Sequence, residues 1–358
     1  MDFQARYPFQ LPLLPPPVSL DSPVLLRAIA AARIELAELK GYSAAIPNAM
    51  LLLSPSLIRE SVASSEIENI HTTIESVLQQ ALFPATERRS ADKEVLRYSE
   101  AIRWGAGQLP QLPLVSRVVV GIQQLLLGTA EASYRATPNQ IINSTTGQAI
   151  YTPPAASQIP QLMSNWEHYI NTPDAAADPL LRCVVGHYQF EAIHPFGDGN
   201  GRTGRILMVL QLVRDELLTM PVLFISGYIN RHRQDYYRLL LAVTTHGEWE
   251  AFILFMLRGF EEQARETKQT LLRVMEQLGE FRQRIRTLPK RVPGELADHL
   301  FAFPVTTPVQ AARELGITYK TTSRYLSELA AAGLLENKQV SRFQFYMNRP
   351  LLELLNQL

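Results

Sequence analysis

The stretch EAIHPFGDGNGRTGRILMVLQLVRDEL, residues 191–217, decides how this chain is read. An apolar approach ends at His194 and Pro195, a glycine-rich turn follows through Gly197, Gly199 and Gly201, and an apolar run with helical spacing continues past Arg202. That order builds an anion site. Glycines 199 and 201 let the backbone come close to a phosphate, the first amides of a helix have no intrahelical acceptors, and the helix dipole favours negative charge there. Arg202 and Arg205, in the first turn, add fixed positive charge and a bidentate fork, and Asn200 can bridge a further phosphate oxygen. The stretch lacks the Lys-Ser/Thr ending of a Walker loop, so a nucleotide would not be held here in the manner of P-loop enzymes. Asp198 is a lone carboxylate beside the phosphate position. Mg2+ suits it, because that ion takes one or two carboxylates and completes its shell with substrate oxygens and water. His194 precedes the turn, placed to take a proton from an attacking hydroxyl and titrating in the useful range.

Outward from this motif the chain is mostly helical in pattern. Residues 22–41 open with Ser22 as N-cap and Pro23 at the first helical position, and Gly41 marks the predicted stop. The first twenty or so residues are proline-rich and predict an extended arm over the body. Between Thr137 and Pro160 the pattern changes to short β-prone pieces, in which Thr146-Gly147 turns a hairpin before Pro153-Pro154 ends it. A charged helix through Arg273, Glu276, Glu280, Arg282, Arg284 and Arg286 reads as a linker. The fold class is therefore mostly α: a helical bundle carrying one hairpin flap, followed by a small module. The predicted divisions are a helical region 1–105, a core 106–268, a linker 269–300 and a C-terminal module 301–358.

Lys and Arg balance Asp and Glu at a formal net charge of zero, so no whole-molecule field marks nucleic acid or an acidic membrane as the partner. No apolar stretch reaches the ~20 residues a bilayer span needs, and the N-terminus does not read as a signal peptide. A single cysteine, Cys183, excludes an internal disulfide framework and is read as a small core residue; a cytoplasmic location is the expectation that follows.

From His194 to Arg205 the sequence matches His-Pro-Phe-x-(Asp/Glu)-Gly-Asn-Gly-Arg-x-x-Arg at each defined position, and on this string the chain resembles Fic-domain AMP transferases. The resemblance implies a protein adenylyltransferase that moves AMP from ATP to a Tyr, Ser or Thr hydroxyl of a target protein. It implies His194 as general base, Asp198 as Mg2+ ligand, Asn200 with the Gly199 and Gly201 amides on α and β oxygens, and Arg202 on the β-phosphate. Arg205 would take the γ-phosphate, with Thr203 and Gly204 carried over between the two arginines. Residues 137–154 correspond to the flap on which relatives lay the target by strand addition. Tyr228 to Tyr237 resembles the border of the adenine and ribose pocket, with Tyr236 the best single choice.

Ser64, four residues before Glu68 and hence on one face of a helix, together with Asn69 resembles the family's inhibitory pattern (Ser/Thr)-x-x-x-Glu-(Gly/Asn). That implies an autoinhibited enzyme in which Glu68 pairs with Arg205 at the ATP site. Self-modification and removal of AMP are related tasks for the same site.

The tail, VQAARELG, a turn at Ile317, TYKTTSRYLSELAAAGLL and ENKQVSRFQFY, resembles a winged helix-turn-helix. Thr318, Tyr319, Lys320, Thr322, Ser323 and Arg324 would start its second helix, and Lys338 and Arg342 would mark a wing. DNA, a docked protein and a second copy of the chain are the open readings for further partners. The alternative functions are a DNA-binding regulator whose core only senses nucleotide, and a Fic enzyme with another donor.

Overall fold

The structure is a computed structural model and describes residues 3–46, 50–143, 145–172, 178–288, 292–340 and 343–356, without the side chains of 50–55. In chain order its elements are α1 (Pro23–Ala44), α2 (Met50–Ile67), α3 (Ile74–Gln80), α4 (Ser90–Gln108), α5 (Ser116–Leu127), β1 (Ile141–Ile142) and β2 (Ala149–Tyr151). Then follow α6 (Ile159–Asn171), α7 (Pro179–Ile193), α8 (Asn200–Arg214), α9 (Ile225–Arg231), α10 (Arg233–His246) and α11 (Trp249–Arg286). The chain ends with α12 (Gly294–Ala302), β3 (Val305–Thr306), α13 (Pro308–Leu315), α14 (Tyr319–Ala331), β4 (Glu336–Val340), β5 (Phe343–Met347) and α15 (Arg349–Asn356). Ser22 Oγ caps α1 as expected, accepting from Leu25 N at 3.3 Å, but the helix runs through Gly41 to Ala44. One glycine costs a helix only about 1 kcal/mol, and no left-handed turn forms there to end it.

Two compact units form: Met1–Ala37 with Arg97–Ala264, and Glu38–Leu96 with Arg265–Leu358. They are not consecutive segments of the chain. In the first unit α7 and α8 are buried almost all round, the condition of central helices. Asp178 caps α7 by accepting from Leu180 N at 2.8 Å, and Pro179 sits at its first position. Ile141 pairs with Tyr151 and Ile142 with Ala149 in the antiparallel hairpin, and Asn143 Oδ1 accepts from the amides of Thr145 and Thr146 to shape its turn. Ser144 lies outside the described residues. Strand alternation turns Tyr151 inward, where its hydroxyl donates to Ala192 O at 2.7 Å, and leaves Ile142 and Ile150 exposed. The N-terminal arm packs on this same unit: Phe9 N donates to Thr152 O at 2.9 Å, Gln189 Nε2 to Pro12 O at 2.8 Å, and the Phe3 and Phe9 rings meet Tyr151.

In the second unit one core joins Ile58, Val77, Leu278, Phe301, Leu326 and Phe345. Residues 269–286, expected as a charged linker, bury Val274, Leu278, Phe281 and Ile285 in that core. The spacing of four, three and four residues makes an apolar stripe, so the charged residues occupy the opposite face. Thr307 and Thr318 cap α13 and α14, Gly316 ends α13, and β3, β5 and β4 pair in that order in an antiparallel sheet. Lys338 is exposed on β4, and Arg342 lies outside the described residues.

The residues expected to be inhibitory, Ser64, Glu68 and Asn69, also belong to this unit, and their geometry differs from the expected single helix face. Ser64 is buried within α2, but the helix ends at Ile67 and Glu68 stands in the turn beyond it, exposed. Asn69 adopts a left-handed φ of 62°, and Ile70 N returns to Ser65 O at 3.0 Å, which closes the helix. Asparagine tolerates that conformation better than most other residues with a side chain. No described helix is long and apolar enough to cross a membrane.

Candidate active site

The motif loop begins where α7 ends. His194 is the C-cap of α7, with φ 50° and its amide donating to Phe190 O at 3.0 Å, so the chain leaves the helix at the residue expected to act as general base. Pro195 and Phe196 are buried; sinking Phe196, 1% exposed, contributes roughly 1.5–3 kcal/mol and anchors the loop. Gly197 and Asp198 then face outward before Gly199, at φ 74°, swings the chain into α8. A side chain at Gly199 would be strained by that φ, and its Cβ would also lie 3.2 Å from the Gln123 amide.

Asn200 fastens the loop to itself. Its Oδ1 accepts from Phe196 N at 2.8 Å and its Nδ2 donates to Phe196 O at 2.9 Å, so the side-chain amide grips the loop backbone. Gly199 N donates to Asp198 Oδ1 at 2.6 Å. The next amides, of Asn200, Gly201 and Arg202, form the first turn of α8, and the first helical bond runs from Thr203 N to Gly199 O at 3.0 Å. Arg202 and Arg205 are buried in the same helix, and Arg202 Nη2 reaches Asp198 Oδ2 at 3.5 Å. The Asp198 side chain is 74% exposed, so its carboxylate stands at the rim of a positively charged helix start. Among the described residues no cluster of three or more His, Cys, Asp or Glu could hold a metal. The donor set is thus one exposed carboxylate, which fits an ion that draws its other ligands from phosphates and water.

Residues that the motif does not contain hold this loop from outside. Gln123, on the buried face of α5, donates from Nε2 to Asp198 O at 2.6 Å and accepts at Oε1 from Thr203 Oγ1, also 2.6 Å. Arg135 gives its amide to Pro195 O and its guanidinium to His194 O, and Tyr134 lays its ring 5.4 Å from Phe196. Burial pushes the Tyr134 phenol up to about 12, with the Ser116 hydroxyl opposing. The sequence did hold a signal for Gln123: a glutamine on the apolar face of α5, among Val119, Ile122 and Leu126. Arg135 lies in an irregular loop and had none.

Behind α8, Gly204 makes room for α7: a Cβ there would stand 2.2 Å from Glu191 Oε1. The Glu191 carboxylate approaches His187 Nδ1 at 4.0 Å, and His187 Nε2 bonds the Tyr236 hydroxyl at 2.8 Å. Burial pushes the His187 imidazole down to about 3, and the Arg205 cation acts in the same sense. A neutral, fully buried histidine therefore backs the second motif arginine. Tyr236 itself is buried within this packing; Tyr237 beside it is exposed, with the Arg233 guanidinium over its ring at 5.9 Å. Ser64, Glu68 and Asn69 stand in the other unit. Cys183 is buried, burial pushes its thiol well up, and it is a core residue.

Comparison with known proteins points one way. The Fic/DOC family N-terminal region matches residues 26–107 and the Fic/DOC family domain matches residues 113–212, together just over half of the chain. A protein named protein adenylyltransferase Fic from Nematostella vectensis is 30% identical over 175 residues, 47% of this chain and 38% of that protein. One of the same name from Aedes aegypti is 34% identical over 107 residues, and there the match spans a fifth of the relative's length. Among solved structures, a Fic family protein from Desulfovibrio desulfuricans G20 superposes with a TM-score of 0.58 at 22% identity, covering 93% of this chain and 98% of that one. Fic-1 from C. elegans superposes with a TM-score of 0.53 at 18% identity, covering 69% and 72%. With its motif loop, hairpin and helical core in the arrangement described, this chain belongs to the Fic/DOC family.

Proposed function

We propose that this protein transfers AMP from ATP to a hydroxyl side chain of a target protein. The observation that carries the reading is the loop from His194 to Arg205, in which an imidazole at the left-handed end of α7 is followed at once by the amides and two arginines of the α8 N-terminus. His194 takes the proton from the acceptor hydroxyl as its oxygen attacks the α-phosphorus, and pyrophosphate leaves. The first-turn amides and Arg202 bind the β and α oxygens, and Arg205, held beside a neutral His187, takes the γ-phosphate. Asn200 acts by keeping the loop closed on Phe196. Mg2+, when bound, neutralises phosphate charge, and Asp198 is the residue that would hold it. Thr203 locks the helix start to Gln123, and Gly204 admits Glu191. Tyr236 orients His187, leaving Tyr237 and Arg233 as the outward pair for the base.

The target lies along the hairpin, where exposed Ile142 and Ile150 offer apolar contacts beside main-chain groups. Glu68, at the end of α2, is the inhibitor that competes for Arg205. The test uses Mg2+ and α-labelled ATP with wild type, Glu68→Gly and Glu68→Gly/His194→Ala. Label on protein should rise in the first variant and vanish in the second, and the absence of label from every variant would sink the reading. A second reading, for the tail alone, is a winged helix-turn-helix that binds DNA. It is favoured by the exposed Tyr319, Lys320 and Arg324 along the start of α14, with β4 and β5 as the wing.

A further inference from the structure

The hairpin and the motif loop meet at one side chain. Arg135 is 8% exposed, and its guanidinium donates from Nε to His194 O at 2.9 Å, from Nη1 to Thr137 O at 3.1 Å, and from Nη2 to Pro154 O at 2.7 Å and Ile193 O at 3.4 Å. Its own amide donates to Pro195 O at 2.8 Å. Two of these acceptors, Ile193 and His194, end α7, where the helix dipole is negative and a cation is favoured. The other two are the feet of the hairpin, Thr137 ahead of β1 and Pro154 after β2. Tyr134 and Tyr151 brace the same joint, one ring on Phe196 and one hydroxyl on Ala192 O.

We propose that Arg135 is a positioning residue: it ties the platform that presents the acceptor hydroxyl to the backbone that carries the His194 imidazole, so that both are set from one point. This rests on the transfer reading given above. A target laid along the hairpin takes its register from the strand backbone, and the base takes its direction from the end of α7. The distance between hydroxyl and imidazole is then as reproducible as the joint between those two backbones. Only a planar group with five donors can hold four carbonyls on two sides at once; a lysine ammonium has three donors and one centre, and reaches one side. ATP binds the amides and arginines of α8, which Arg135 does not touch, so its loss acts on the geometry of attack and leaves nucleotide affinity alone.

The test compares Arg135→Lys and Arg135→Ala, each in the Glu68→Gly background, by kcat and KM for ATP in labelling and by amide hydrogen exchange. We expect kcat to fall on the order of a hundredfold, the scale of a misplacement of about 1 Å, with KM for ATP nearly unchanged. Exchange should rise together in the hairpin and in the segment around His194, and guanidinium ion at sub-denaturing concentration should restore part of the activity of Arg135→Ala. Should Arg135→Ala fail to fold, Arg135→Lys decides. Unchanged kcat, a KM for ATP that rises in step with the loss of kcat, or exchange that rises on one side of the joint only would overturn the proposal. If the Glu68→Gly parent labels nothing with any nucleotide, the transfer reading fails, and exchange still reports whether Arg135 couples hairpin to loop.

Discussion

Replacing Gln123 should loosen the motif loop without touching a motif residue, and the size of the effect follows from its two hydrogen bonds. Leucine has nearly the same volume and makes neither bond. It strands Thr203 Oγ1, on a residue 0% exposed, whereas Asp198 is exposed and its carbonyl can turn to water. One buried hydroxyl left without its acceptor costs about 1–3 kcal/mol, and the net loss of the second bond adds about 1 kcal/mol. Gln123→Leu should therefore cost about 2–4 kcal/mol, which for a domain of this size lowers Tm by roughly 4–15 °C.

Gln123→Glu sharpens the argument. An ionised carboxylate still accepts from Thr203 but faces the Asp198 carbonyl where the amide had donated, and a protonated carboxyl restores the glutamine pattern. Its folded pKa is thus raised above the ordinary value of about 4.3, and the stability it contributes is complete below that value and lost as pH rises through the raised one. Scanning calorimetry from acid to neutral pH should show Gln123→Glu near the wild type at the acid end and near Gln123→Leu at pH 8. Two variants that melt with the wild type at every pH would refute the role given to Gln123.

Two other outcomes are expected. His187 and His299, held by burial at about 3 and about 4 against an ordinary 6.5, bind fewer protons folded than unfolded, so stability is full above about 6.5 and declines as pH falls below it. A Tm against pH series should show this decline and a shallower one in His187→Gln; equal slopes would remove the buried neutral imidazole from the account. In a DNA shift assay with the full chain, binding should weaken steeply with salt and the slope should drop by about 1 for each of Lys320→Ala and Arg324→Ala. No binding at low salt would leave the tail as a protein-docking module.

Much of the backbone around the candidate site was legible in the sequence. A histidine, a glycine turn and an arginine-bearing helix start are local features, so their order alone dictates a loop that runs into a helix N-terminus, and Thr146-Gly147 lies in the hairpin turn its residues favour. Ser64, Glu68 and Asn69 also form a local pattern, but only the backbone puts Glu68 past the end of α2, because a left-handed Asn69 closes the helix at Ile67.

What sequence could not decide was which distant residues hold the loop. Gln123 lies 75 residues from Asp198, and Arg135 lies 59 from His194. Nothing in a local pattern reports such pairs, since a polar side chain finds its acceptors only after the helices have packed. Likewise Tyr236 faces His187 and Tyr237 faces outward because α10 turns one edge to the core, a choice that two adjacent tyrosines cannot express. The sequence by itself determined the residues of the motif loop and the helical class of the fold. Tertiary structure decided how that loop is held, because burial makes Gln123, Arg135 and His187 into the partners that their surroundings demand.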